Sequence, residues 1–260
     1  MYHSIFFLDG IKARHLDSTG TVKKIVYMGK DTWDDWHLIP SSRPVFNPPS
    51  PKTSYIDIPG SDWGLDLSES LTGEVVYDSR KGSLEFIVDN GHQEWHELYS
   101  DIMDYLHGKV KKAVLEDDPT YYYEGRFWVN QWKSDPGNSK ITIDYEVQPY
   151  KLERYSSFED KYSWEWDSFN FEKGYVREYW DLEVDGEFTI TIPGQRKSVV
   201  PTFKVSNITS SYFYVEFNGN KYYLSSGDNQ SPHIVLKEGE NILTFVGNAT
   251  VSIDYQGGRL

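Results

Sequence analysis

The chain has no cysteine in its 260 residues. Disulfides, thiolate metal sites and cysteine nucleophiles are therefore excluded. Positive charge is also short: 26 Lys and Arg face 40 Asp and Glu, a formal net charge of −14. A free-standing nucleic-acid binder needs basic residues to neutralise phosphates. The densest basic group, Lys109, Lys111 and Lys112, is too small for that, so no stable nucleic-acid binding is expected. Long apolar runs are missing too. No stretch approaches the roughly 20 apolar residues of a membrane helix, so no membrane insertion is expected. The opening "MYHSIFFLDGIKARH" has a short apolar run but no basic n-region or small-residue cleavage site, and does not read as a signal peptide.

Aromatic residues are plentiful. Nine Trp, twenty Tyr and thirteen Phe supply large buried areas in a chain that is only 38% hydrophobic. Aromatic and β-branched residues suit pleated, half-buried surfaces. The reading is mainly β, in two domains, with boundaries at 1–151 and 152–260. "SIFFLDGIKA" reads as a hairpin turning at Asp9-Gly10, and "VKKIVYM" as the next strand. A Pro-rich arm follows over about 30–52, with Pro40, Pro44, Pro48, Pro49 and Pro51; Trp33, Trp36 and Phe46 are its candidate anchors. Residues 51–77, "PKTSYIDIPGSDWGLDLSESLTGEVVY", read as a shaped connection that docks this arm through Trp63, Leu65, Leu67 and Leu71, turning at Pro59-Gly60. "GEVVY" and "GSLEFIVD" look like strands. One helix is predicted at about 92–107, because Trp95, Leu98, Ile102, Tyr105 and Leu106 recur at three- and four-residue spacing, with Asn90 as N-cap and Gly108 as stop. "KVKKAVLE", "TYYYEGRFWVNQW" and the alternating "KITIDYEVQPY" complete the first unit. Beyond residue 152, short strands with turns at Asp185-Gly186, Asn218-Gly219 and Glu238-Gly239 indicate a β-sandwich.

Candidate chemistry is thin. His92 and His96 stand four apart on the helix, but Gln93 replaces the glutamate a zincin requires after the first histidine. "DLEVDGE" begins like a calcium loop, yet its bidentate position falls on Ile192. Glu165 and Asp167 resemble a glycosidase carboxylate pair, but with so many acids such pairs arise by chance. No nucleophile elbow, phosphate loop or dinucleotide fingerprint is present. Hence no catalytic residue, metal or cofactor is expected. Trp164, Trp166 and Trp180, with Tyr162 and Tyr179, could stack on sugar rings or pack a domain junction. Asn207 and Asn248 head glycosylation triplets and read as ordinary turns.

One resemblance is specific. The patterns W-x-L-x-P-x-S-x-P from Trp36, K-T-x-Y-x-x-I-P-G from Lys52, L-D-L-S-E-x-L-T-G from Leu65 and G-S-x-E-F from Gly82 resemble the distal tail proteins of long-tailed bacteriophages. "VVPTFKV" from Val199 and "LKEGENILTFVGNATVSIDYQGG" from Leu236 extend it more loosely. The resemblance implies a β-sandwich-like N-terminal unit with one helix and an extended arm, and a short galectin-like β-sandwich after it. It implies a non-enzymatic hub: a homohexameric ring joining the tail tube protein to a tail-tip protein, letting DNA pass, sometimes carrying a receptor-binding protein. Trp33, Trp36, Pro40, Pro44, Phe46 and Trp63 would then serve contact between subunits. Such a protein belongs to the virion and is assembled in the bacterial cytoplasm, where the lack of cysteine fits a reducing environment. A carbohydrate-binding module for host cell-wall saccharide, built on Trp164, Trp166 and Trp180, is the alternative; a glycan-degrading enzyme is the third reading.

Overall fold

A computed structural model describes residues 3–16, 22–70, 72–89, 95–135, 139–157 and 177–260. It is mainly β, as expected, with a single helix among the described residues. The first sheet runs β2(Val22–Asp31), β1(Ile5–Leu16), β7(Lys109–Leu115), β8(Tyr121–Lys133), β9(Lys140–Val147), β6(Arg80–Val88), β3(Leu38–Pro40), all antiparallel. Strict alternation explains β9: Ile141, Ile143, Tyr145 and Val147 face inward and their neighbours outward. Helix α1(Trp95–Leu106) covers the same core with Trp95, Leu98, Ile102 and Leu106. Burying each of these side chains stabilises the fold by about 1.5–3 kcal/mol. Gly108, at φ 72°, ends the helix and donates its N–H to the Phe127 carbonyl at 2.7 Å.

The second sheet is built around β16(Gly239–Asp254). β11(Leu182–Gly194) pairs with it from residue 239 to 251. On its other edge lie β13(Phe213–Phe217) and then β12(Thr202–Ser206). β14(Asn220–Tyr223) extends β13, and β15(Gly227–Gln230) extends β12. Phe203, Val205, Phe213, Val215, Leu243, Phe245, Val251 and Ile253 fill this core.

Several expected turns are corrected. Asp9-Gly10 is no hairpin: β1 continues through it, and its ladder with β2 slips between Leu8 and Lys12. A glycine that permits a turn also permits a bulge. Asp185-Gly186 likewise lies inside β11, where Gly186 (φ 81°) sits opposite Gly247 (φ 122°) in mid-ladder. β16 is therefore one long strand where the sequence suggested two, and Asn248 is a strand residue, not a turn. "GEVVY" contributes only a bridge at Tyr77, and Leu236 forms an isolated bridge with Val199. Glu238-Gly239 bends from that bridge into β16 without closing a hairpin. Asn218-Gly219 does close one: both residues have positive φ (50° and 76°), as a two-residue β-turn demands.

The expected boundary at 151/152 falls inside β10(Lys151–Glu153), which pairs with both β8 and β17(Gly258–Arg259). Around it Glu153 accepts hydrogen bonds from Arg177 (2.5 Å), the Gly257 N–H (3.0 Å) and Gln195.

Candidate assembly surface

Of the six residues expected at the contact between subunits, four lie in or against the chain's own core. Thr32 turns the chain at the end of β2, and β3 then pairs Leu38 with Val88 and Pro40 with Phe86. Pro40 is tolerated because β3 lies at the sheet edge. Trp36 is 1% exposed, wedged edge-on to Tyr105 at 5.5 Å and tilted on Phe7 at 6.3 Å. Pro44 is buried, and Phe46 stacks on Tyr123 at 4.2 Å and meets Tyr145 edge-on at 4.7 Å. Buried Arg80 fixes the next turn of chain, donating to the carbonyls of Asn47 (3.0 Å) and Pro149 (2.8 Å). Trp33 is half-buried against His37. Residues 30–46 thus anchor to their own sheet.

The next segment does the opposite. A root is tied by the Pro51–Tyr77 bridge, with Lys52 N–H donating to Val76 and Asp78 N–H to Ser50, both 2.8 Å. From it rises a small ribbon, β4(Tyr55–Ile56) against β5(Leu65–Asp66). Its tip turns at Pro59-Gly60, where Gly60 has φ 85° and Ser61 N–H donates to Ile58. Asp66 accepts from the Ser68 hydroxyl (2.5 Å) and N–H (2.9 Å); these bonds hold its carboxyl below the usual range. That is a turn device, not catalysis. The expected docking residues point outward: Trp63 is 73% exposed, and Leu65, Tyr55, Ile56 and Ile58 are each about half exposed. This corrects the reading of Trp63 and Leu65 as inward anchors; β4 and β5 form a two-stranded sheet of their own, outside both larger sheets. Leu67 is half-buried, and Leu71 lies outside the described residues. An isolated two-stranded ribbon is marginal in water, and clustered exposed apolar side chains mark an interaction surface.

Just beyond the ribbon, Glu74 reaches the second sheet region. It accepts from Ser198 (2.9 Å) and pairs with Lys237 (3.1 Å), which lowers its pKa. Arg196 donates to the Tyr77 hydroxyl and to Glu238, both at 3.2 Å. Sequence reasoning missed Glu74 and Arg196, because 122 positions separate them and no local pattern links them. It also missed Tyr55 and Ile56, whose place beside Trp63 follows only from the β4–β5 register.

Other candidates are dispersed. His96 is exposed, while His92 and Asn90 lie outside the described residues. So do Tyr162, Trp164, Glu165, Trp166 and Asp167; Trp180 is half-buried before β11, and Tyr179 is buried against Tyr255. Asp185 accepts from the Asn248 amide at 2.8 Å within the strand ladder, so no calcium loop forms there. No cluster of three potential metal ligands occurs among the described residues, and no helix there is long and apolar enough to cross a membrane.

No family model and no curated protein matches the chain. Among solved structures it is similar to the Dit (gp 19.1) protein of SPP1, described as a paradigm of the hub adsorption apparatus in phages infecting Gram-positive bacteria. The TM-score is 0.56 at 13% identity, over 98% of this chain and 99% of that one. At that identity the likeness is one of fold, and it spans both sheets.

Proposed function

We propose that the chain is a structural hub of a phage tail tip and not an enzyme. The fold likeness over nearly the whole length of both chains carries this reading. On it, the chain acts in the virion, assembled in the bacterial cytoplasm as a homohexameric ring. The ring joins the tail tube protein to the tail-tip protein, admits a receptor-binding protein at its rim, and lets DNA pass. The ribbon 52–70 supplies the contact between subunits: its open Trp63, Tyr55 and Ile56 need a cover, and a head-to-tail contact repeated around an axis closes a ring. The charge of −14 suits a lumen from which DNA is repelled.

Mass photometry and negative-stain imaging test this. We expect hexamers or stacked pairs of hexamers, with Trp63→Ala weakening association by about thirtyfold or more, as loss of a buried aromatic anchor does. A chain that stays monomeric at high concentration, alone and with its tube partner, overturns the reading.

A further inference from the structure

The second sheet carries an aromatic surface that the hub reading does not use. The Asn218-Gly219 turn sets the β13–β14 register, placing Tyr214 opposite Tyr223 and Glu216 opposite Lys221. Phe213, Val215 and Phe217 point into the core, so alternation sends Tyr214 and Glu216 to the outer face. Tyr212 lies two residues earlier on the same side. The three rings form a row: Tyr212 to Tyr214 is 5.8 Å at 26°, and Tyr214 to Tyr223 is 5.5 Å at 58°. Tyr214 is covered by its neighbours, while Tyr212 is 52% and Tyr223 73% exposed.

The row is built, not draped. Ser210 accepts from Asn248 N–H (2.9 Å) and donates to the Tyr212 carbonyl (2.5 Å). A Cβ at Gly247 would approach that same carbonyl to 2.5 Å, so Tyr212 is seated directly on the β16 backbone. Lys221 lies over the Tyr214 ring at 4.6 Å, donates to its hydroxyl at 3.1 Å and pairs with Glu216 at 3.1 Å. Thr244, opposite Glu216, hydrogen-bonds Thr189 at 2.9 Å.

We propose that Tyr212, Tyr214 and Tyr223, edged by Lys221, Glu216 and the Thr189–Thr244 pair, form a binding site for an uncharged saccharide. Pyranose rings lie against the open faces of Tyr212 and Tyr223, with Tyr214 packed between them, and their hydroxyls meet the polar edge. Rigid, amphipathic tyrosines give contact area at low entropic cost. Lys221 and Glu216 neutralise each other, so the edge offers hydrogen bonds without a net charge to draw a polyanion. A protein partner would want more apolar surface: Ile242 is the one large aliphatic side chain exposed on β11, β13, β14 or β16 among the described residues.

The test titrates the full chain with neutral oligosaccharides of glucose, galactose, rhamnose and N-acetylglucosamine, read by saturation-transfer NMR, with dextran sulfate as the polyanion control. An open sheet face predicts a Kd of about 0.1–10 mM for at least one sugar. Tyr212→Ala and Tyr223→Ala should each weaken it about tenfold, while Tyr223→Phe, which keeps the ring face, changes it about threefold or less. The proposal fails if none of the sugars binds by ~10 mM, an upper limit set by the same affinity scale. It fails equally if binding survives both alanine changes, or if only dextran sulfate binds. Ring formation is read separately by mass, so either proposal can fall without the other.

Discussion

Residues 30–46 and 52–70 are neighbours in the chain, alike in composition, and opposite in fate. Each carries tryptophan, proline and acidic residues, yet Trp36 is 1% exposed and Trp63 73%. The difference is what each segment pairs with. The first joins the large sheet through β3 and β6, which sets Trp36 and Phe46 against Phe7, Tyr105, Tyr123 and Tyr145. The second rises from the Pro51–Tyr77 root and pairs β4 with β5, a two-stranded sheet separate from both larger ones. An aromatic residue does not find a core; its strand partner delivers it there.

Substitutions can break that contrast in order of size. Trp36→Ala should cost about 3–5 kcal/mol in urea unfolding, since it empties a closed aromatic site. Arg80→Met should cost about 1.5–3 kcal/mol, because two carbonyls lose a charged donor; an unchanged midpoint would mean that the aromatics alone hold residues 44–47. Glu74→Gln should cost at most about 1 kcal/mol, as its pair with Lys237 is partly open to solvent. Glu74 titrates below its ordinary value of 4.5 in the folded state, so its contribution is present above that pH. It is lost as the pH falls through the lowered folded value, and parallel pH–stability curves for the wild type and Glu74→Gln would refute it. Trp63→Ala should move stability by no more than about 0.5 kcal/mol. A loss near that of Trp36→Ala would erase the contrast.

Sequence pattern carried well where structure is local. The three- and four-residue spacing of Trp95, Leu98, Ile102 and Leu106 located α1, and alternation located β9. It failed at Asp9-Gly10, where the β1–β2 ladder slips instead of turning, and at Asp185-Gly186, where positive-φ Gly186 faces positive-φ Gly247 within an unbroken ladder. The fates of Trp36 and Trp63 were illegible for a different reason: they depend on whether a strand some fifty positions away lies alongside. The tyrosine row stands between these cases. Alternation joins Tyr212 to Tyr214, and the two-residue turn at Asn218-Gly219 counts off Tyr223, so its register follows from local sequence once that turn is known.

The root of the ribbon has a mechanical consequence. Its base is closed by the Pro51–Tyr77 bridge, and the adjoining Glu74 and Tyr77 are moored to Ser198, Lys237 and Arg196 near the second sheet. On the hub reading, these bonds would give a load on that sheet a short route to the foot of the ribbon, beside the one through β10 and β17. The foot would then act like a strain gauge: a few partly exposed polar bonds, each of the modest strength surface pairs have, linking the ribbon's base to residues near the second sheet.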